Sequence, residues 1–212
     1  MNSTFTIALP KGRLGDVALK RLQAAGMAKE VNPSSRRLVF NDVSQAIRYM
    51  IVKPIDVITY VEQGVADIGI IGRDGILEAE ADIYELMDLG FGQCRFAIAG
   101  LKDNMKIQKD ETLRVATKYP RFTKTYFKNK GQKIIIIPLN GSVELAPLVG
   151  LSDVIVDIVE TGNTLKANGL EIITPIQDIS AKLISNRASY RFKYERIRHI
   201  IRLLDQTKEA NT

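Results

Sequence analysis

The chain has 212 residues, 45% of them hydrophobic and 25% charged, with a single cysteine and a formal net charge of +6 at pH 7. That is globular composition without low complexity, and no apolar run approaches the ~20 residues of a membrane span. Cys94 alone excludes an intrachain disulfide framework and fits a reducing compartment, and Met1-Asn2-Ser3-Thr4-Phe5 lacks the basic and apolar regions of an export signal, so a cytoplasmic address is expected.

Residues Thr4 to Leu9 read as a short buried strand, broken by Pro10-Lys11-Gly12. An amphipathic stretch from Leu14 to Ala25 then stops at Gly26, a normal helix terminus. Arg37 to Phe40 and Ile47 to Val52 read as strands, and Pro54 to Gln63 as a helix with proline in its first turn and Gly64 closing it. Asp67 to Ile71 is a compact apolar strand, and Gly72-Arg73-Asp74-Gly75 opens the next helix. After Phe91 the rhythm restarts. Arg95 to Leu101 and Leu113 to Thr117 are expected as strands, Tyr119 to Lys130 as a helix, and Lys133 to Leu139, with four consecutive isoleucines, as a fully buried strand. Val143 to Val149 reads as a short helix and Asp153 to Val159 as a strand, which leads through Glu160-Thr161-Gly162-Asn163-Thr164 into a helix stopping at Gly169. Leu170 to Ile176 is a last strand, and Ala181 to Leu204 is expected to be mainly helical.

Alternation of this kind predicts an α/β fold with mostly parallel sheets covered by helices. The restart near Phe91 divides it into lobe I, residues 1–91 plus 178–212, and lobe II, residues 92–177, with a small-molecule site expected in a cleft between them. Much of the excess positive charge sits near the C-terminus, in Arg187, Arg191, Lys193, Arg196, Arg198 and Arg202. With Ile197, Ile200, Ile201, Leu203 and Leu204 as the buried side, these read as the solvated flank of a helix, and no zinc-finger or RNA-binding signature accompanies them.

The sharpest chemical signal is Val154-Ile155-Val156-Asp157-Ile158-Val159-Glu160-Thr161-Gly162-Asn163-Thr164-Leu165. An apolar strand that turns through small and hydroxyl residues into a helix presents successive backbone N–H groups and the positive end of a helix dipole to an anion. Thr161 and Thr164 add hydroxyls, Gly162 allows close backbone approach, and Asp157 is placed to accept hydrogen bonds from ribose hydroxyls. Read alone, the same turn is also an ordinary helix start with Thr161 as its N-cap. At the end of the first strand, Lys11 and Arg13 flank Gly12, where ligands of open α/β sheets bind; Arg13 suits bidentate contact with a pyrophosphate and Lys11 acts as a point charge. In Asp67-Ile68-Gly69-Ile70-Ile71-Gly72-Arg73-Asp74-Gly75 the glycines thin a strand end, and Arg73 and Asp74 join the same region if the strands are neighbours. His199 has no second histidine with which to bind a metal and reads as a surface or partly packed helix residue, and Cys94 reads as a buried thiol.

Together with Gly92-Gln93-Cys94-Arg95-Phe96 and Leu139-Asn140-Gly141-Ser142-Val143-Glu144, these segments resemble the ATP phosphoribosyltransferase family, in one order and over essentially the whole chain. The turn after Val159 resembles a phosphoribosyl-pyrophosphate loop, although type I phosphoribosyltransferases carry two adjacent acids where Val156 precedes Asp157 here. The resemblance implies two periplasmic-binding-protein-like lobes and transfer of the ribose C1 of phosphoribosyl pyrophosphate to N1 of ATP. It implies Mg2+ carried with the substrate pyrophosphate, with no protein metal ligands assigned. Lys11, Arg13 and Arg73 would act on the departing pyrophosphate. Asp157, Glu160, Thr161, Gly162, Asn163 and Thr164 would hold the phosphoribosyl group, and Asp74 and Arg95 would lie on the nucleotide side. No P-loop signature is present, as befits an ATP that serves as nucleophile and not as phosphoryl donor. Ending at Thr212, the chain resembles the short form of the family, which works with a regulatory subunit similar to histidyl-tRNA synthetase, typically as a hetero-octamer, and which on its own would be insensitive to histidine. Two alternatives stay open on the residues alone: a non-catalytic bilobal binding module, and a type I phosphoribosyltransferase acting on another base.

Overall fold

A computed structural model describes residues 4–32, 35–102 and 111–209, with side chains to residue 207. The first three residues, part of the segment read above for an export signal, lie outside the described residues. The chain divides into two compact units, Met1–Gly92 with Ser180–Thr212, and Gln93–Ile179.

The first unit begins with β1 (Phe5–Pro10), α1 (Arg13–Ala24), β2 (Val39–Asp42), β3 (Ile47–Val52), α2 (Pro54–Glu62), β4 (Ile68–Gly72), α3 (Arg73–Ala79) and β5 (Ile83–Asp88). It is completed near the C-terminus by β11 (Ala181–Asn186), α7 (Arg187–Phe192) and α8 (Tyr194–Glu209). Its sheet has the order β2-β3-β1-β4-β11-β5. The pairs β3–β1 and β1–β4 are parallel, whereas β2, β11 and β5 join antiparallel. Every residue of β1 is buried because helices cover both faces. On one face Phe5, Ile7 and Leu9 pack with Leu19 and Leu22 of α1 and with Ile197, Ile200 and Leu204 of α8. On the other, Ala8, Ile71 and Ile184 meet Val57, Ile58 and Val61 of α2. Arg191, Arg198, His199 and Arg202 are exposed, the solvated side of the same terminal helices.

Beneath this packing, Asp67 accepts hydrogen bonds from the Thr6 amide (2.8 Å), the Ser189 hydroxyl (2.6 Å) and the Lys193 ammonium (2.7 Å). A buried carboxylate requires such partners, and these fasten the junction of α7 and α8 to the central strands. Tyr49 is likewise buried, its hydroxyl accepting from the Ala28 amide at 2.9 Å, and burial pushes its pKa up to about 12.

The second unit contains β6 (Cys94–Leu101), β7 (Leu113–Thr117), α4 (Pro120–Lys130), β8 (Ile134–Pro138), α5 (Leu145–Leu148), β9 (Val154–Val159), α6 (Asn163–Ala167) and β10 (Leu170–Ile179). The sheet order is β10-β6-β9-β7-β8, with β9–β7 and β7–β8 parallel and the pairs made by β6 antiparallel. Both sheets are therefore mixed, with parallel strands next to one another at the centre of the first and at one side of the second.

Four local expectations are corrected. Ala181 to Asn186 is not helical but forms β11, inserted between β4 and β5, and its Leu183 and Ile184 are buried on opposite faces. Its partner β5 was not expected as a strand, because Glu85 and Asp88 interrupt the apolar pattern. The isoleucine run is not fully buried: β8 is the last strand of its sheet and Ile135 is 54% exposed. Cys94 is half-buried at the head of β6.

Candidate functional site

Each unit carries its candidate residues where its parallel strands end. In the first, β1 runs into Lys11, whose amide donates to the Val52 carbonyl at 2.7 Å, so the ends of β1 and β3 stay side by side. Gly12, with φ 94°, starts α1 without a side-chain cap. Gly15 is required by close approach, since a Cβ there would collide with the Pro10 carbonyl. Lys11 and Arg13 are exposed, and so is Lys53, which follows β3 on the neighbouring strand. The sequence reading missed Lys53, although Val52-Lys53-Pro54, a cation between a strand end and a helix-starting proline, is a signal of the same kind as Lys11.

On the other side of β1, β4 ends in Gly72, and Arg73 and Asp74 open α3. The Arg73 amide donates to the Ser180 carbonyl at 3.0 Å. Its side chain turns towards β5, with Nε 3.4 Å from Glu85 Oε2, within ion-pair reach but not aligned as a hydrogen bond. The Asp74 carboxylate folds back over Gly72. Strand order thus brings Lys11, Arg13, Arg73 and Asp74 to one edge of one sheet, with the Arg73 guanidinium engaged by Glu85.

Asp88, at the end of β5, accepts from Ser180 Oγ (2.9 Å to each oxygen), Lys182 Nζ (2.8 Å) and the Gly90 amide (2.8 Å). Burial pulls its pKa upward, but the bonds from Lys182, Gly90 and Ser180 prevail and hold it at about 2. Leu89 and Ala181 are joined by a 2.9 Å backbone bond, and a second of 2.9 Å joins Ala181 to Phe91, so the two segments that lead out of and into the unit are tied.

In the second unit β9 delivers Asp157, half-buried, to the strand end, where its Oδ1 accepts from the Ile158 amide at 2.8 Å. The chain then turns through Glu160, Thr161 and Gly162, and the residue that caps α6 is Gly162, not Thr161. Gly162 has φ 76°, a left-handed conformation that side chains other than glycine's rarely adopt. Gly162 itself offers no side-chain cap; Thr161 Oγ1 accepts from the Asn163 amide at a long 3.4 Å, and the Lys166 amide closes on the Gly162 carbonyl at 3.0 Å. Thr161, Asn163 and Thr164 are exposed around the turn. The arrangement is a strand end with an acid followed by a turn whose backbone N–H groups face outward at a helix start, the geometry in which an anion can be held.

Arg95 stands opposite Val159 and Asp178 in the ladder, placing it diagonally across from Asp157 on the same face. Glu160 is exposed beyond the strand. Neighbouring strand ends add two elements. Asn140-Gly141-Ser142 follows β8, with Ser142 at φ 48°. Thr117, fully buried at the end of β7, donates from Oγ1 to the Val156 carbonyl at 2.7 Å and accepts from the Tyr119 amide at 2.9 Å. Thr117 was not expected in the site: nothing in Val-Ala-Thr-Lys distinguishes this threonine until β7 is placed beside β9. At the far end of β9, Arg114 grips Asp153 at 2.6 Å and the Gly150 carbonyl at 2.9 Å, and this guanidinium holds the Asp153 carboxyl below the usual carboxylate range.

Among the described residues no group of three or more His, Cys, Asp or Glu side chains converges as a metal site, and no helix is long and apolar enough to cross a membrane.

Comparison with known proteins gives the chain its relatives. Residues 53–206 match the family described as ATP phosphoribosyltransferase (HisG). An ATP phosphoribosyltransferase of Clostridioides difficile is 62% identical over 202 residues, 95% of this chain and 97% of that protein. One from a Thermoanaerobacter species is 51% identical over 210 residues, 97% of each. Among solved structures, the ATP phosphoribosyl transferase (HisG:HisZ) complex from Thermotoga maritima superposes with a TM-score of 0.85 at 38% identity, over 97% of this chain and 99% of that one. The VFT2 domain of BvgS from Bordetella pertussis shares the fold alone, with a TM-score of 0.56 at 12% identity. The fold is thus the two-lobed, periplasmic-binding-protein-like α/β type, and on sequence and architecture alike the chain belongs to the ATP phosphoribosyltransferase family.

Proposed function

We propose that the chain joins C1 of the ribose of phosphoribosyl pyrophosphate to N1 of the adenine of ATP, giving phosphoribosyl-ATP and pyrophosphate, the first step of histidine biosynthesis. The observation that carries this is the turn after β9: a half-buried Asp157 at a strand end, then a helix start through Gly162, in a chain that matches the family over nearly its full length. The 5-phosphate occupies the turn Thr161 to Thr164, where backbone N–H groups and two hydroxyls offer donors. Asp157 and Glu160 accept from the ribose hydroxyls. Cleavage of the C1–O bond runs ahead of C1–N1 bond formation, so negative charge gathers on the departing pyrophosphate, and Lys11, Arg13 and Arg73 meet it there. Arg73 exchanges Glu85 for substrate in this scheme. Asp74 and Arg95 contact the nucleotide. N1 of adenine attacks with its own lone pair, so no protein base is required.

Mg2+ enters with the pyrophosphate of the substrate and is a part of that substrate. The Thermotoga relative is found in a HisG:HisZ complex, which supports a HisZ-type regulatory subunit as partner, in a hetero-octamer. Such a biosynthetic assembly belongs in the cytoplasm. Incubation with ATP, phosphoribosyl pyrophosphate and Mg2+ should yield phosphoribosyl-ATP, seen by its near-ultraviolet absorbance. Transfer to another base in preference to ATP, or binding of the substrates with no turnover with or without the HisZ-type subunit, overturns the reading.

A further inference from the structure

Lys11, Arg13 and Arg73 occupy the edge of the first sheet at which Ala181, the start of β11, pairs with Gly72. The opposite end of β11, where Ser185 pairs with Tyr84 and Asn186 with Ile83, supports a surface the proposed reaction does not use. There Tyr84, Arg187, Tyr190, Arg191, Phe192 and Tyr194 line a groove of about 580 Å³. The rings form a chain, with Tyr84 edge-on to Tyr190 at 5.1 Å between centroids and Tyr190 edge-on to Tyr194 at 5.5 Å. Arg187 lies over Tyr84 at 5.1 Å and pairs with Asp82 at 2.7 Å, and Arg191 lies 5.6 Å from the centre of the Phe192 ring. Phe192 itself stays 79% exposed.

The mount is rigid. Asn186 caps α7 by accepting from the amides of Ala188 (2.9 Å) and Ser189 (3.1 Å), and its amide nitrogen donates to the carbonyls of Val61 and Glu62 at the end of α2. The Lys193–Asp67 pair fastens the other end of α7. One exposed apolar residue needs no explanation, but tyrosines, a phenylalanine and arginines preorganised around a concavity match the composition of protein-binding hot spots.

Charge selects the occupant. From the groove, exposed Arg198 and Arg202 continue the stripe begun by Tyr194 along α8, at i+4 spacing. A second copy docked on this face about a two-fold axis would set arginines against their own equivalents, an unfavourable pairing of like charges. Asp82, in the rim and paired with Arg187, disfavours a phosphate backbone. We infer that this groove docks a partner protein through an acid-rimmed surface that inserts an apolar side chain beside Phe192, and that this partner is the HisZ-type subunit. The inference rests on the partner reading given above.

The test uses the full chain and the purified HisZ-type subunit of the same source. Affinity is measured for the wild type and for Phe192→Ala, Arg191→Glu and, on the second unit, Val149→Ser as a control. Phe192→Ala and Arg191→Glu should each weaken binding by about 30-fold or more, as truncation of a hot spot does. Val149→Ser should bind as wild type, and all three variants should keep the melting temperature and the basal transferase activity of the isolated chain. Wild-type affinity in both groove variants overturns the docking surface while the partner reading stands. If the wild type does not bind the subunit, both fail. A groove variant that dissociates the isolated chain into smaller oligomers makes the groove a contact between copies, and one that abolishes binding of a single-stranded RNA makes it a nucleic-acid site; either result overturns the inference.

Discussion

Replacing Thr117 by valine tests how the end of β9 is held. The substitution keeps shape and removes one hydroxyl, which donates to the Val156 carbonyl at 2.7 Å and accepts from the Tyr119 amide at 2.9 Å. Thr117 is fully buried and Tyr119 is 4% exposed, so water does not replace either bond. The Val156 carbonyl and the Tyr119 amide, each losing a partner, cost about 1–2 kcal/mol each, or about 2–4 kcal/mol together, and the 3.3 Å bond donated by the buried Thr123 hydroxyl is lost besides. For a chain of this length that lowers the melting temperature by about 4–16 °C if unfolding is cooperative. Val156 directly precedes Asp157, so the loss also reaches the site. The KM for phosphoribosyl pyrophosphate should rise about five- to tenfold, equivalent to about 1–1.4 kcal/mol, while the KM for ATP stays within about twofold because the nucleotide contacts are not anchored on this rung. Steady-state kinetics with each substrate varied, alongside thermal unfolding, reads both effects. Thr117→Ser keeps the hydroxyl and should recover most of the phosphoribosyl pyrophosphate KM. If Thr117→Val raises both KM values equally, or if serine fails to restore the difference, Thr117 is packing and does not position Asp157.

Gly162→Val should raise the KM for phosphoribosyl pyrophosphate at least about tenfold, because φ 76° disfavours a β-branched residue by about 1–2 kcal/mol. A Cβ there would lie 3.8 Å from Val159 Cγ1, ordinary contact, so the variant should fold; an unchanged KM removes the phosphate from this turn. Arg13→Ala should lose about 2–4 kcal/mol of kcat/KM, as removal of a contact to developing charge does, and near-wild-type kcat/KM would make Arg13 a solvated turn residue. Asp67→Ala strands the Lys193 ammonium and the buried Thr6 amide, and urea unfolding should show about 3–5 kcal/mol less stability; a loss below about 1 kcal/mol would mean that the pair does not fasten the terminal helices. Asp88 has a folded pKa, about 2, below its ordinary 3.8, so its stabilisation is complete above the higher value and disappears as pH falls through the lower. The difference in urea midpoint between wild type and Asp88→Asn should therefore be constant above about pH 5 and shrink between about pH 4 and pH 2. A difference independent of pH in that window would remove Asp88 as a charged tie.

Where a signal is local, the structure and the sequence coincide closely. The strand over Ile47 to Val52 has the same limits in both, and the helix beginning at Pro54 is set by proline in its first turn and by Gly64 beyond its end. The acid, hydroxyls and glycine of the turn after Val159 lie within eight consecutive residues, and the glycine needed there could be read because no other residue accepts its conformation at so little strain. Other readings depended on neighbours. The apolar run near Lys133 has the composition of a central strand, yet only its place at the end of the sheet order leaves Ile135 exposed. Ala181 to Asn186 was absorbed into the helix that follows it, since six residues between two long-range partners carry little periodicity of their own.

The sequence by itself determined most of the strands and helices and where glycine, proline and hydroxyl residues break them, because side-chain period and turn chemistry operate within a few residues. Only the tertiary structure decided that Lys53 stands beside Lys11, that Arg73 reaches Glu85, and that the Thr117 hydroxyl holds the carbonyl before Asp157. These contacts arise from which strands lie side by side, and that choice is made by burial of both sheet faces under helices, a property of the whole unit that no short stretch of residues contains.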